Sequence, residues 1–402
     1  MGLPKISIKK GREWQLLRGH PWLFSGAISQ APGKAEAGSL VDLVDLNGNF
    51  VARGYYNANC DIAVRVLTHD PDEVIDSQFF AQRIESAKAL RRQSIDQVST
   101  NVYRLINSEG DFLPGYIVDF YDDVLVVQSH TAGSDSLLSV FLTALESVMK
   151  PKEVVLRNEA AARKREGLLQ EPARVIQGQV PDELLVKENN WQFLIDPLQG
   201  QKTGFFSDQR DKRLALSRYA AGLPADSIIA NCFCYSSGFS VAMASVNHTL
   251  RTVNIDESQK ALLLSQRNIQ ENKLDASKHS FVCADAFKWL EAEAANQHQF
   301  DVVILDPPAF AKTHKEKTNA LKGYSRLNQL GIQCVKSGGL LMTCSCSGSV
   351  SMEEFQDSVR QAASREGRAL QLLEVFQNSC DHPMLISAPE TGYLKVLLCR
   401  VN

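Results

Sequence analysis

The stretch Val302-Val303-Ile304-Leu305-Asp306-Pro307-Pro308-Ala309-Phe310 joins an apolar run to a carboxylate and two prolines. Four apolar residues in succession predict a strand buried on both faces, as in parallel sheets covered by helices. The prolines then hold the backbone extended and remove two N–H groups, which leaves carbonyls and Asp306 facing the space beyond the strand.

Working outward, strand-like runs recur at Ser227 to Asn231, Thr252 to Ile255, Phe281 to Cys283 and Leu340 to Thr343, with helical segments between them. This is the sequence form of a doubly wound α/β sheet. Late strands near Leu370 to Val375 and Tyr393 to Leu398 have no long helix between them and the C-terminus, which predicts a final antiparallel hairpin. Ligands of such sheets bind beyond the carboxyl ends of the strands, and those ends are acidic: Asp256 follows Ile255, Asp285 follows Ala284 and Asp306 follows Leu305. Any one of them also suits the N-cap of the next helix. Three in register point to a nucleoside cofactor, Asp256 being placed for a ribose diol. The first strand exits through Cys232-Phe233-Cys234-Tyr235-Ser236-Ser237-Gly238, without the three-glycine turn that cradles a dinucleotide pyrophosphate. S-adenosylmethionine (SAM) has no phosphate and needs no such cradle.

A second chemical signal lies in Gly338-Gly339-Leu340-Leu341-Met342-Thr343-Cys344-Ser345-Cys346-Ser347. Cytosine C5 is a poor nucleophile, and enzymes that alkylate it first add a thiolate to C6. Cys346, just past the fifth strand in a serine-rich turn, suits that role, with Cys344 still inside the strand. The plainer alternative is that both are small apolar fillers.

The 402 residues exceed one ordinary core, and three regions are expected. Residues 1–75 alternate apolar and polar in short runs, with a hairpin turn at Asn47-Gly48, and read as a small β domain. Residues 76–188 read as an α+β middle domain, opened by a helix from Asp76 that turns Phe80, Ile84, Ala87 and Leu90 inward. Residues 189–402 carry the α/β sheet. Apolar residues make up 44% and charged residues 22%, and no apolar run approaches the ~20 residues of a membrane span. The polar, basic start from Met1 to Arg12 does not read as a secretory signal, so a cytoplasmic protein is expected. The nine cysteines sit mostly in apolar segments, as reduced thiols do, and their Cys-x-Cys pairs lack zinc-site spacing, so no metal is expected. Net charge is −3, with local basic clusters at Lys9-Lys10-Arg12, Arg163-Lys164-Arg165 and Lys312 through Lys315, Lys317 and Lys322 to Arg326. Each taken singly reads as a solvated surface.

These residues together resemble the ribosomal large-subunit RNA cytosine-C5 methyltransferase I family, in which a PUA domain precedes a class I (Rossmann-like) methyltransferase. The resemblance rests on Gly19 to Gly26, Arg104 to Asn107, Leu113-Pro114-Gly115, Lys202 to Arg210, Asp306 to Phe310, Ser345-Cys346-Ser347 and Asp381-His382-Pro383. It implies a 5-methylcytosine product in 23S rRNA, Cys346 as nucleophile and Asp306 on the cytosine edge. It further implies Cys234, Tyr235, Gly238, Asp256, Asp285 and Asp306 around SAM. Pro307, Pro308, Phe310, Lys312, Lys315 and Lys317, together with the PUA-like domain, are the expected RNA contacts. The sequence departs from the pattern at Ala309, where many related enzymes carry a second cysteine, and at Asn231 and Ser236-Ser237, which replace an acid and glycines. A base N-methyltransferase on the same fold and a non-catalytic ribosome-assembly factor are the rival readings. Monomer and homodimer both stay open.

Overall fold

The computed structural model describes residues 2–311 and 314–402. Two compact units divide the chain: Met1–Val186 with Ile195–Ser207 and Cys380–Thr391, and Lys187–Leu194 with Asp208–Ser379 and Gly392–Asn402. The expected β and middle regions therefore share the first unit.

Within that unit a six-stranded sheet runs in the order Trp22–Phe24, Ile62–Thr68, Phe50–Tyr56, Leu40–Val44, Lys5–Ile8, Ile28–Gln30. The hairpin at Asn47-Gly48 forms, but only Gly48 uses a left-handed φ, +85°; Asp45 holds the loop by accepting from the backbone N–H of Asn47 and Asn49. A five-stranded sheet follows in the order Arg174–Gln177, Glu153–Leu156, Val124–Ser129, Tyr116–Tyr121, Val102–Asn107. Asp76 caps the helix Ser77–Ser94 as the sequence predicts. Its inward face differs at one place: Leu90 is exposed and Arg91 is buried instead. The cause is a buried carboxylate, since both terminal nitrogens of Arg91 lie on Asp111 and its Nε donates to the Arg104 carbonyl at 2.8 Å. Apolar periodicity cannot foresee an arginine whose partner is distant in sequence.

The second unit holds a seven-stranded sheet. Its strands are β1 (Ile228–Cys232), β2 (Arg251–Asp256), β3 (His279–Cys283), β4 (Phe300–Leu305), β5 (Val335–Ser345), β6 (Leu370–Phe376) and β7 (Lys395–Val401). They lie in the order β3-β2-β1-β4-β5-β7-β6. The first five are parallel and β7 runs antiparallel to both neighbours, which is the expected hairpin. Helices α1 (Arg210–Ala220), α2 (Gly238–Val246), α3 (Gln259–Glu271), α4 (Ala286–Ala295), α5 (Lys317–Cys334) and α6 (Met352–Arg365) complete the α/β arrangement. Side chains alternate across β4: Val303 and Leu305 pack with Ala230, Ile255 and Leu341 in one cluster, Val302 and Ile304 with Ile229, Met342 and Val396 in another. Each such side chain fully buried contributes roughly 1.5–3 kcal/mol, so two cores clamp this strand. The strand order reverses between β1 and β4, the switch point where ligands of open α/β sheets bind. No described helix is long and apolar enough to cross a membrane.

Candidate functional site

The acidic strand ends and the β5 cysteines belong to the second unit, at the carboxyl ends of its parallel strands. β1 ends at Cys232 and the chain reaches α2 in five residues, three of which, Phe233, Tyr235 and Ser237, have φ of 61°, 46° and 57°. Residues with a Cβ occupy this left-handed region only with local support. Backbone N–H groups supply part of it: Cys234 donates to the Ile255 carbonyl at 3.0 Å and Ser237 to the Cys234 carbonyl at 2.7 Å, and Tyr235 donates to Asp256 Oδ2 at 2.9 Å. The rest comes from a buried polar set beneath the turn. Ser237 and Ser240 hydroxyls both donate to Asn254 Oδ1, at 2.8 and 2.6 Å, and Asn231 Nδ2 donates to Ser240 Oγ at 3.0 Å. Asn254 Nδ2 donates to Thr252 Oγ1, which shares a hydrogen bond with His279 Nδ1. Burial pushes the His279 pKa down to about 4, so the ring is neutral within this set. Where the wider pattern has an acid and glycines, side-chain hydrogen bonds shape the turn here.

Gly238 opens α2 because nothing larger fits. A Cβ there would lie 2.9 Å from Arg213 Cδ, and Arg213 is pinned by Nε and Nη2 donating to buried Glu188 at 2.6 and 2.7 Å. Overpacking of this kind typically costs about 1–3 kcal/mol. Gly238→Val is therefore expected to weaken SAM binding at least about tenfold by titration calorimetry, with a smaller loss for Gly238→Ala. Affinity unchanged in both would separate this turn from the cofactor seat.

The three acidic strand ends are half-buried and oriented by backbone amides or a side chain. Asp256 accepts from Tyr235 and, through Oδ1, from Ser258 N at 2.9 Å. Asp285 caps α4, taking the N–H of Phe287 and Lys288 at 2.8 and 3.1 Å. Asp306 Oδ1 accepts from Gln209 Nε2 at 2.9 Å. A carboxylate accepts about four hydrogen bonds, so Asp256 keeps capacity for the hydroxyls of a nucleoside. Cys234 is buried with its thiol pushed up to about 12 by desolvation, and it serves this turn through its backbone. Tyr235 is half-buried.

The two cysteines of β5 differ sharply. Cys344 lies within the strand and is fully buried. Burial, and next the charge of Asp306, hold its thiol well above the ordinary value, and it engages Gln209 and Asp306. Cys346 is the first residue past the strand, half-buried, with Sγ 3.7 Å from the Pro307 carbonyl. The turn that carries it is anchored through Ser347, whose Oγ accepts from Ala311 N at 3.1 Å and pairs with the Tyr324 hydroxyl at 2.9 Å. Lys395 Nζ donates to the Ser347 carbonyl at 2.7 Å.

Among the expected RNA contacts, Pro308 and Lys315 are exposed, while Pro307 is buried. Phe310 packs its ring 4.6 Å from Tyr324, half-buried. Lys317 pairs with Glu354 at 2.5 Å and Arg326 with Glu291 at 2.7 Å, which reduces the basic character of that segment. Lys312 lies outside the described residues. Of the second basic cluster, Arg163 is buried and donates to the Ser129 and Leu169 carbonyls and to Asp135. The Trp22 indole donates to Glu109 at 2.9 Å, which ties His20-Pro21-Trp22 into the packing of the first unit. Sequence reasoning missed Gln209, Tyr324 and Lys395. Lys395 leaves a trace, a lone lysine in the apolar run Leu394 to Leu398. All nine cysteines are free thiols, and the described residues contain no cluster of His, Cys, Asp and Glu able to hold a metal.

With this geometry in hand, the comparisons are specific. A PUA-like domain family matches residues 6–69, and the S-adenosylmethionine-dependent methyltransferase family matches residues 164–400. The ribosomal RNA large subunit methyltransferase I of Escherichia coli is 39% identical over 400 residues, 99% of each chain. Its namesake from Klebsiella pneumoniae is 38% identical over 99% of this chain and 98% of its own. A solved structure from Streptococcus mutans, described as a candidate SAM-dependent methyltransferase, superposes with a TM-score of 0.84 at 21% identity, covering 99% of this chain and 100% of its own. A candidate methyltransferase complexed with S-adenosylhomocysteine matches with the same TM-score at 20% identity, covering 99% of this chain and 100% of its own. At such identities these two likenesses speak for the fold.

Proposed function

The chain belongs to the ribosomal RNA large subunit methyltransferase I family, and from that premise we propose that it methylates C5 of a cytosine in large-subunit ribosomal RNA, with Cys346 as nucleophile. The observation that carries this reading is the contrast between the cysteines: Cys344 is buried against Asp306 and Gln209, while Cys346 stands half-exposed at the strand end beside the Pro307 carbonyl.

The cofactor is SAM, which when bound supplies the electrophilic methyl group that C5 takes. Asp256 would hold the ribose and Asp285 the adenine, with the backbone from Cys234 to Gly238 around the remainder and Asp306 at the inner edge. Cys346 thiolate adds to C6; as the S–C6 bond forms, the C5–C6 π pair shifts toward C5 and makes that carbon nucleophilic. Asp306, with one oxygen held by Gln209, would orient the N3/N4 edge of the base during this addition. After transfer the C5 proton leaves, the C5–C6 double bond re-forms and the S–C6 bond breaks, returning its electron pair to sulfur. Ala309 offers no second thiol for that release. The PUA-like region of residues 1–75, the exposed Pro308 and Lys315, and the Pro307 and Phe310 backbone form the proposed RNA-facing parts, with residues 76–188 and 189–402 as middle and catalytic divisions. Action on ribosomal RNA supports a cytoplasmic location.

The test is incubation with undermodified large-subunit RNA and labelled SAM, then digestion to nucleosides. Labelled 5-methylcytidine is expected. Label on an exocyclic amine would instead select the N-methyltransferase reading, in which the aromatic residue usually follows the two prolines directly, whereas here Ala309 stands between Pro308 and Phe310.

A further inference from the structure

Lys395 is a buried charge in an apolar strand of the second unit: it opens β7, directly opposite Ser345 of β5, and is only 6% exposed. A buried lysine costs stability unless its ammonium is matched by acceptors or negative charge. Its Nζ donates to the carbonyl of Ser347 at 2.7 Å, and the groups that favour its charged form are Cys346 first and Glu354 second. Glu354 is itself engaged by Lys317 at 2.5 Å, while the carbonyl that Lys395 holds belongs to the residue next to Cys346, which places the ammonium beside the turn that carries the sulfur. Near this sulfur also lie the Tyr324 hydroxyl of α5, on which Cys346 acts, and Asp306, one residue before the Pro307 carbonyl that Sγ approaches. Neither carries a positive charge.

Resting on the reading of Cys346 as nucleophile, we propose that Lys395 is its positioning residue: the buried ammonium stabilises the Cys346 thiolate, and the bond to the Ser347 carbonyl fixes the turn that presents the sulfur. The balance is simple. The Cys346 S–H bond breaks, its proton goes to solvent, and the thiolate left beside the ammonium then forms the S–C6 bond. Burial pulls the Lys395 pKa down to about 8, with Cys346 pulling the other way. The ammonium is thus the major form at neutral pH and is lost as pH rises past about 8, so the assistance is present below that value and fades above it.

The experiment is the pH profile of Cys346 alkylation by iodoacetamide in the full-length protein, read site by site by tandem mass spectrometry so that Cys344 is scored separately. The wild-type midpoint is expected below the ordinary thiol value of about 8.5. Lys395→Met should raise it by roughly one unit, a tenfold loss of thiolate at neutral pH, and Lys395→Arg should retain most of the shift because the charge is kept. A wild-type midpoint at or above about 8.5 overturns the proposal without any variant, and equal midpoints in wild type and Lys395→Met overturn it as well. Should Lys395→Met fail to fold, the wild-type and Lys395→Arg profiles still decide it. Because alkylation requires no RNA, its outcome stands apart from the identity of the methylated base: a lowered midpoint with no 5-methylcytidine would sink the proposed reaction and keep the ion pair.

Discussion

Cys346→Ala is expected to abolish 5-methylcytidine formation, lowering turnover by about three orders of magnitude or more, as loss of a covalent nucleophile does elsewhere. The thiolate supplies a bond that no neighbour can replace, because without addition at C6 the C5 carbon has no electron pair to offer. The substitution is structurally mild. Cys346 is half-exposed and its Sγ approaches the Pro307 carbonyl at a long 3.7 Å, while the turn is held by Ser347 through Ala311, Tyr324 and Lys395. SAM affinity and melting temperature should therefore stay close to wild type. Cys344→Ala should behave in the opposite way: buried at the strand end and engaged with Asp306 and Gln209, it should lower stability while leaving turnover measurable. Persistent methyl transfer in Cys346→Ala with loss in Cys344→Ala would reverse the assignment of the two thiols.

The contrast between these cysteines was partly legible beforehand, because the strand's end could be placed from the glycine pair and the apolar run, and only Cys346 falls past it. The same holds for the acidic strand ends: periodicity locates the strands, and the parallel sheet puts their last residues on one rim. What periodicity could not convey are pairings between residues distant in sequence. Lys395 meets Ser347 only because β7 runs antiparallel beside β5. Gln209 reaches Asp306 across 97 residues of sequence from the N-cap of α1; its stretch from Lys202 to Arg210 was recognisable as a pattern without a role. The turn after β1 read from composition only as a departure from the glycine pattern, and its three left-handed residues were not foreseeable. The buried set of Asn231, Ser237, Ser240 and Asn254 explains them only once their side chains are seen to meet.

The deepest support of that turn is also the place where one substitution should cost the most stability. Glu188 is fully buried and takes two hydrogen bonds from Arg213, at 2.6 and 2.7 Å, with Arg210 Nε 3.8 Å away. Removing one partner of a buried pair leaves the other charge desolvated, which typically costs about 3–5 kcal/mol. Glu188→Ala should thus lower the melting temperature of this unit by roughly 6–20 °C, at about 2–4 °C per kcal/mol for a domain of this size. Because Arg213 abuts Gly238, a released guanidinium also frees the first turn of α2, and SAM affinity should fall together with stability. Glu188→Gln separates the contributions: it keeps the shape and part of the hydrogen bonding but not the charge, so an intermediate melting temperature is expected. Saturating SAM should restore part of the loss in Gln and less in Ala, because linkage stabilises a fold only in proportion to the affinity it retains. A Glu188→Ala protein that melts within a degree or two of wild type would mean that the arginines of α1 are held without this carboxylate, and the rigidity assigned to Gly238 would lose its cause.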